Sequence, residues 1–244
     1  IYALNIIQKS GKISIENCSS KRGGAIYVED SFIQEGGEMM IQHCRAGGWG
    51  GGVHAQKNFI QNNGVLQVEE CSARWSGGAL FAKSFRQTGG NISLSNCRAL
   101  DGHGGGLQAA GDFEQLGGAM SIQSCEAKEE GGGLKIYGDI FRQDGELHVR
   151  ACSAHKGGAL YLRRSKVEQG ESATVSVENC SAKEDGGGLY ISKHSEKKIS
   201  LLGRLEFRNC SAGGRGGGVF IAGKDEEFMA RQMYFHHCRA KREG

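Results

Sequence analysis

The most reactive side chains in this 244-residue chain are nine cysteines: Cys18, Cys44, Cys71, Cys97, Cys125, Cys152, Cys180, Cys210 and Cys238. Successive ones are 26 to 30 residues apart, a period that marks an internal repeat. A set of thiols can form disulfides, hold a metal or pack as small apolar groups. If each interval is one turn of a coiled sheet, neighbouring Cys Cα atoms lie about 4.8 Å apart. That suits the Cα separation of a disulfide, but parallel Cβ vectors keep the Cβ atoms farther apart than the roughly 3.8 Å of a relaxed bridge. The odd count would also leave one thiol over. No Cys-x-x-Cys or Cys-x-x-His pair occurs, and ligands in one straight column do not surround a tetrahedral ion. The expectation is a ladder of buried free thiols, with no metal and no cofactor. Buried thiols persist in oxidising and reducing compartments alike.

The elements that position this ladder follow from the residues around it. Five and three residues before every Cys the side chain is apolar, from Ile13 and Ile15 to Met233 and Phe235. A period of two means a strand with one face buried. Two residues after Cys comes Ala in eight of nine copies, Ser20 being the exception, and a short polar turn leads to a glycine pair. A second strand then begins, as in Gly-Gly-Ala-Ile at 23–26 or Gly-Gly-Gly-Leu at 186–189, with apolar residues alternating again at Ile26 and Val28 or Leu189 and Ile191. A third segment carries an apolar anchor and a Gln two residues on, from Phe32 and Gln34 to Val167 and Gln169. Three short strands and three turns make one rung of a three-sided parallel β-solenoid, about nine rungs of about 27 residues. The 41 glycines supply corners where positive φ is required. The absence of Pro fits strands bonded to neighbours on both sides.

The run apolar-x-x-Cys-x-Ala, a polar turn and Gly-Gly-Ala-Ile resembles the repeat of the chlamydial polymorphic membrane proteins, whose motifs are Phe-x-x-Asn and Gly-Gly-Ala-Ile. Val177 to Ala182 followed by Gly186 to Leu189 shows the likeness, with Cys180 where that family has Asn. The apolar residue is Phe only at Phe207 and Phe235. The resemblance implies a right-handed parallel β-helix of the pectate-lyase-like shape, used as a surface passenger in adhesion, and an extracellular or cell-surface location. Right-handedness also agrees with the rule for parallel crossovers.

Four columns of side chains are candidates for function. The outward residues of the second strand are Tyr27, His54, Phe81, Gln108, Lys135, Tyr161, Tyr190 and Phe220, flanked by small residues expected to leave them uncovered. Aromatic rings in such a stripe suit the faces of sugars or a partner protein; ordinary cross-strand packing is the alternative. The turn after Cys carries Trp49, Trp75, His103, Glu129 with Glu130, His155, and Glu184 with Asp185. Paired carboxylates beside a His are able to hold Ca²⁺ or run acid/base chemistry on a polysaccharide, while turns are also polar simply because they face water. The Gln column from Gln34 to Gln169 gives way to Leu201 and Ala230 and reads as stacked amides bonded along the axis. The loop from Ser192 to Lys198 carries a basic knob of Lys193, His194, Lys197 and Lys198.

Thirty Lys and Arg against 27 Asp and Glu leave +3 with the signs interspersed along the chain. This order announces neither a nucleic-acid groove nor a polybasic membrane patch, and no apolar run approaches the roughly 18 residues of a membrane span. Residues 1–244 read as one β-helix repeat domain cut from a longer array, with end-to-end self-association expected at uncapped ends. Three functions are weighed. The favoured one is a non-catalytic structural or adhesive rod presenting a repeated surface to glycans or proteins. The alternative is a polysaccharide lyase or hydrolase of the same shape, which needs a unique cluster of carboxylates and a base. An ice-binding rod needs a regular Thr face, and only Thr88 and Thr174 occur.

Overall fold

The computed structural model describes residues 1–138, 140–163, 166–192, 199–223 and 228–242. Among them there is no helix: thirty parallel strands wind through about eight turns as a β-solenoid. The inward column that opens the second strand keeps its register from turn to turn. Ile26 lies beside Val53, Val53 beside Leu80, Leu80 beside Leu107, and so on through Leu134, Leu160 and Leu189 to Val219. The five-residue strand Glu38–Gln42 buries Met39 and Ile41 and turns its other residues outward, and its counterparts repeat that alternation on the rungs above.

Two features of the turn differ from the sequence expectation. The Cys-x-Ala step is itself a two-residue strand, as in Arg45–Ala46, and nine of these form a separate parallel sheet. In addition, the second and third segments run together as one strand in the early turns, Ile26–Gln34, Val53–Gln61 and Leu80–Gln87. The link at 29–31 lies inside a strand, with a register shift against the preceding turn. From Leu107 onward the link lengthens and the segments separate. The basic knob at Lys193, His194, Lys197 and Lys198 lies outside the described residues.

Corners are set by backbone chemistry. The residue before every Cys, from Asn17 to His237, has φ between 50 and 55°. Asn fills this position at Asn17, Asn96, Asn179 and Asn209, in keeping with its tolerance of the left-handed region. The kink turns the thiol inward, where Sγ donates to the carbonyl two residues back: Cys44 to Gln42 at 3.1 Å, Cys97 to Ser95 at 3.1 Å and Cys152 to Arg150 at 3.3 Å. At the opposite end of the short strand Gly50 takes φ 64°. A Cβ on the following Gly51 would collide with the carbonyl oxygen of Gly78 on the next rung.

All nine thiols are free. Cys44 to Cys210 are buried and Cys18 and Cys238, on the end rungs, are partly exposed. Beside them run two further ladders. Phe32, Phe59, Phe85, Phe113 and Phe141 stack with centroids 4.8 to 5.5 Å apart and planes within 11°. The Gln column begins earlier than expected, at Gln8. Each Nε2 donates to the Oε1 below it: Gln34 to Gln8 at 3.1 Å, Gln61 to Gln34 at 2.9 Å, Gln87 to Gln61 at 2.9 Å and Gln115 to Gln87 at 3.1 Å. Both ladders falter at the same level. Val167 succeeds Phe141, and an apolar void of about 20 Å³ opens beside them, with Leu201 and Phe207 in its wall. Gln143 Oε1 and Gln169 Oε1 are buried without a bonding partner. Beyond, the register places Leu201 and then Ala230 in the Gln position.

Burial pushes the Cys97 and Cys125 thiols well above their ordinary range and Cys210 up to about 12. A thiol reagent applied to the native protein should therefore modify Cys18 and Cys238 alone, and the other seven only after unfolding. Cys125→Ser should cost about 1–3 kcal/mol by burying a more polar group, read as a lower denaturant midpoint; unchanged stability would contradict the packing role.

Candidate functional site

Two columns of side chains meet along one edge of the rod. One is the outward stripe from Tyr27 to Phe220. The other consists of the residue just before each left-handed glycine: Arg22, Trp49, Ser76, His103, Glu130, Lys156, Asp185 and Arg215. The glycine folds the chain so tightly that this residue lies over the start of the next strand. Trp49 sits 6.1 Å from His54 and 6.2 Å from Phe81, Lys156 lies over Tyr190, and Arg215 caps Phe220 at 4.4 Å.

The stripe is accordingly not the uncovered platform expected from the sequence. His54, Lys135 and Tyr161 are each 4% exposed and Tyr190 8%, while Tyr27, Phe81 and Phe220 are half-buried. Small neighbours within the strand do not expose it, because the cover comes from the preceding corner. The turn set also divides. Trp49, His103, Glu130 and Asp185 belong to the inner column, whereas Trp75, Glu129, His155 and Glu184 lie one residue earlier and face outward. They do not line a common cleft. Trp75, 44% exposed, packs edge-on against Trp49 with centroids 4.5 Å apart.

Along this edge the chemistry changes in three zones. The first is aromatic: Tyr2 stacks on Tyr27 at 5.4 Å, Tyr27 meets His54 edge-on at 5.0 Å, and His54 meets Phe81 at 4.9 Å, with Arg22 over Trp49. The middle zone is polar. Glu130 pairs with Lys135 at 2.7 Å and approaches His103 Nδ1 at 3.4 Å, and Lys135 Nζ lies 5.8 Å from the centre of the Tyr161 ring. The third is aromatic again, with Tyr161 and Tyr190 stacked at 4.9 Å and Phe220 at 5.2 Å.

The middle cluster holds groups with displaced proton affinities on both sides of an ion pair. Burial pulls Lys135 and His103 below their ordinary values, and Lys135 pulls His103 down further. Burial alone would raise Glu130, but Lys135 and His103 bring it below the usual carboxylate value. Burial and the Glu130 charge push the Tyr161 hydroxyl up. At neutral pH Glu130 is therefore a carboxylate, His103 a neutral imidazole and Tyr161 a neutral phenol. With Lys135 and Tyr161 withdrawn from solvent, these groups clasp neighbouring rungs together.

Two of the other carboxylates of the turn set are also engaged, while Glu129 is exposed. Asp185 accepts the Arg215 backbone N–H at 2.7 Å and its guanidinium at 2.9 Å, and Glu184 pairs with His155 at 3.1 Å and Lys156 at 3.2 Å. Among the described residues no group of three or more His, Cys, Asp or Glu is arranged to hold a metal ion. Sequence reading missed Arg22, Lys156 and Arg215. Their signal was position alone, one residue before the glycine pair. The chain matches no protein-family model, no curated protein and no solved structure.

His54 makes the edge acid-sensitive. Burial, then the nearby Arg22 charge, lowers its pKa to about 4, and its Nδ1 has no bonding partner. Because the unfolded imidazole titrates near 6.5, the unfolded chain takes the proton first as pH falls. The neutral-His54 contribution is complete above pH 6.5, declines through the interval down to 4, and is gone below it. The linkage amounts to about 3 kcal/mol. His54→Phe should therefore lose less stability than the native chain between pH 7 and pH 4 in parallel urea titrations; superimposable losses would show that His54 is not buried neutral.

Proposed function

We propose that this chain is a non-catalytic structural or adhesive rod that presents a repeated surface to glycans or partner proteins. The observation that carries this reading is the engagement of three of the four turn carboxylates an enzyme would need. Glu130 pairs with a cation of its own rung, Glu184 with one of the preceding rung and Asp185 with one of the next, and Lys135, the buried base among them, is 4% exposed. A lyase or hydrolase requires such groups open to a substrate atom. What the edge leaves accessible is the aromatic ridge of Tyr27, Trp49, Phe81 and Trp75. Rings of this kind bury large apolar area while offering polar edges, which suits a sugar face or a protein surface.

The direct test is a panel of neutral and acidic polysaccharides, with and without Ca²⁺, scored both for retention of the protein and for new sugar ends. Retention without new ends is the expected result, weakened roughly tenfold by Trp75→Ala with thermal unfolding little changed. Tyr161→Ala should instead lower the unfolding temperature, as befits a buried ring. New sugar ends would overturn the proposal in favour of a polysaccharide-acting lyase or hydrolase.

A further inference from the structure

The two-residue strands form a face of their own. On it each turn presents three successive residues, the middle one a buried Ala on seven of the nine turns, as in exposed Glu126, buried Ala127 and exposed Lys128. The column of buried Ala residues is the floor of a trough running along the rod axis, with the residues on either side of each Ala as its walls. A shallow hollow of about 780 Å³ flanks it, taking in Glu70, Ser72 and Asn96; a second, of about 500 Å³, lies along it over Ala99, Ala127, Ala154 and Ala182, and the two share Arg98 and Leu100. Ser153 and Ser181 add hydroxyls to the second hollow.

The coil also sorts charge that looks mixed along the chain. Lys21, Arg45, Arg74, Arg98 and Lys128 occupy five successive turns of this face, alternating between its two walls. Lys183, Arg239 and Lys241 continue it. At these three positions on the nine turns the eight cations face one acid, Glu126, with Asp101 and Glu70 just outside them, while the whole chain carries only +3. Glu126 lies 3.6 Å from Arg98, and Asp101 bridges Arg74 at 3.3 Å and Lys128 at 3.2 Å. The bridge fixes two cations of one wall at a separation of two turns. All three remain more than half exposed, at 65, 64 and 58% of their side-chain surface.

We propose that this trough binds an extended acidic polysaccharide lying parallel to the rod axis. Cations that step along the axis by one turn of about 4.8 Å over five turns, alternating between two walls, match a linear polyanion rather than a single small anion. Methyl groups and hydroxyls on the floor accommodate sugar rings and their hydroxyls. Single-stranded nucleic acid is the poorer fit, because its sequence-tolerant binding relies on aromatic platforms for successive bases, and no position of the Cys-to-Ala steps from Ser19 to Ala240 is aromatic. The proposal gives a ligand class to the non-catalytic rod proposed above and rests on that reading.

The test measures binding of a heparin octasaccharide, with neutral dextran and an oligothymidylate of equal charge as comparisons. The octasaccharide should bind, dextran should not, and affinity should fall about 100-fold between roughly 50 and 200 mM salt through counterion release. Arg45→Glu with Arg98→Glu and Lys183→Glu should weaken binding at least about 30-fold, whereas Lys12→Glu with Lys57→Glu and Arg86→Glu should change it little. The corresponding Gln substitutions serve if the reversed set does not fold. No binding at low salt, equal loss from both sets, or tighter binding of the oligothymidylate would overturn the assignment. Binding accompanied by new sugar ends would sink the non-catalytic reading and leave the trough standing. Absence of binding with neutral glycans still held at Trp75 would do the reverse.

Discussion

In a parallel coil of constant register, the neighbour of each residue along the axis is its own counterpart one turn away. Backbone bonds between turns impose this, and every other feature has to be compatible with it. A side chain in the interior packs on a copy or near-copy of itself at the strand spacing, so a column is only as good as its residue's ability to stack. Phe stacks face to face, Gln hands an amide proton to the carbonyl below it, and Cys sits small and apolar with its thiol tied to a local carbonyl. Where Val167 breaks the Phe column, the Gln column loses its continuity at the same level. The two ladders line one interior and share its spacing.

The corners obey the same constraint. A turn must bend the chain without consuming the N–H and C=O groups that join it to the turns above and below. Left-handed residues do this, and they recur before every Cys and at the first glycine of each pair. Proline, which lacks the N–H, has no place in such a strand. On the outside, counterpart residues also meet, and like charges in one column would repel. The structure relieves this with pairs between turns, such as Lys12 with Glu38 at 2.8 Å and Arg150 with Glu178 at 3.7 Å. Such exposed pairs contribute little stability individually but remove a local repulsion.

Much of this architecture can be read from one sequence because the repeat is both short and strict. The Cys spacing, the apolar residues five and three positions earlier, and the Gln column locate the rungs and their inward faces. The outer edge is less legible. Alternation tells which way Tyr161 points relative to its own strand; it does not tell that Lys156 and Glu130 from the corners lie around it. The turn residues likewise look like one cluster in linear order, yet Trp49 and Trp75 stand in different columns. Charge is the clearest case. Interspersed signs along the chain become a basic face only after the chain is wrapped at about 27 residues per turn, which brings Lys21, Arg74 and Lys128 onto one wall.

If register is the governing constraint, the rod should tolerate loss of a whole turn and not of half a turn. Removing residues 72–97 joins Cys71 to Arg98, where the chain already places Arg98 beside Ser72, and it removes one Cys, one Phe and one Gln from their ladders together. This deletion should leave a folded β-rich protein that unfolds cooperatively in urea followed by circular dichroism, with a modestly lower midpoint. Removing residues 72–84 alone should abolish the transition, because every later ladder is thrown onto the wrong side. Equal damage from the two deletions, or survival of the shorter one, would contradict the account.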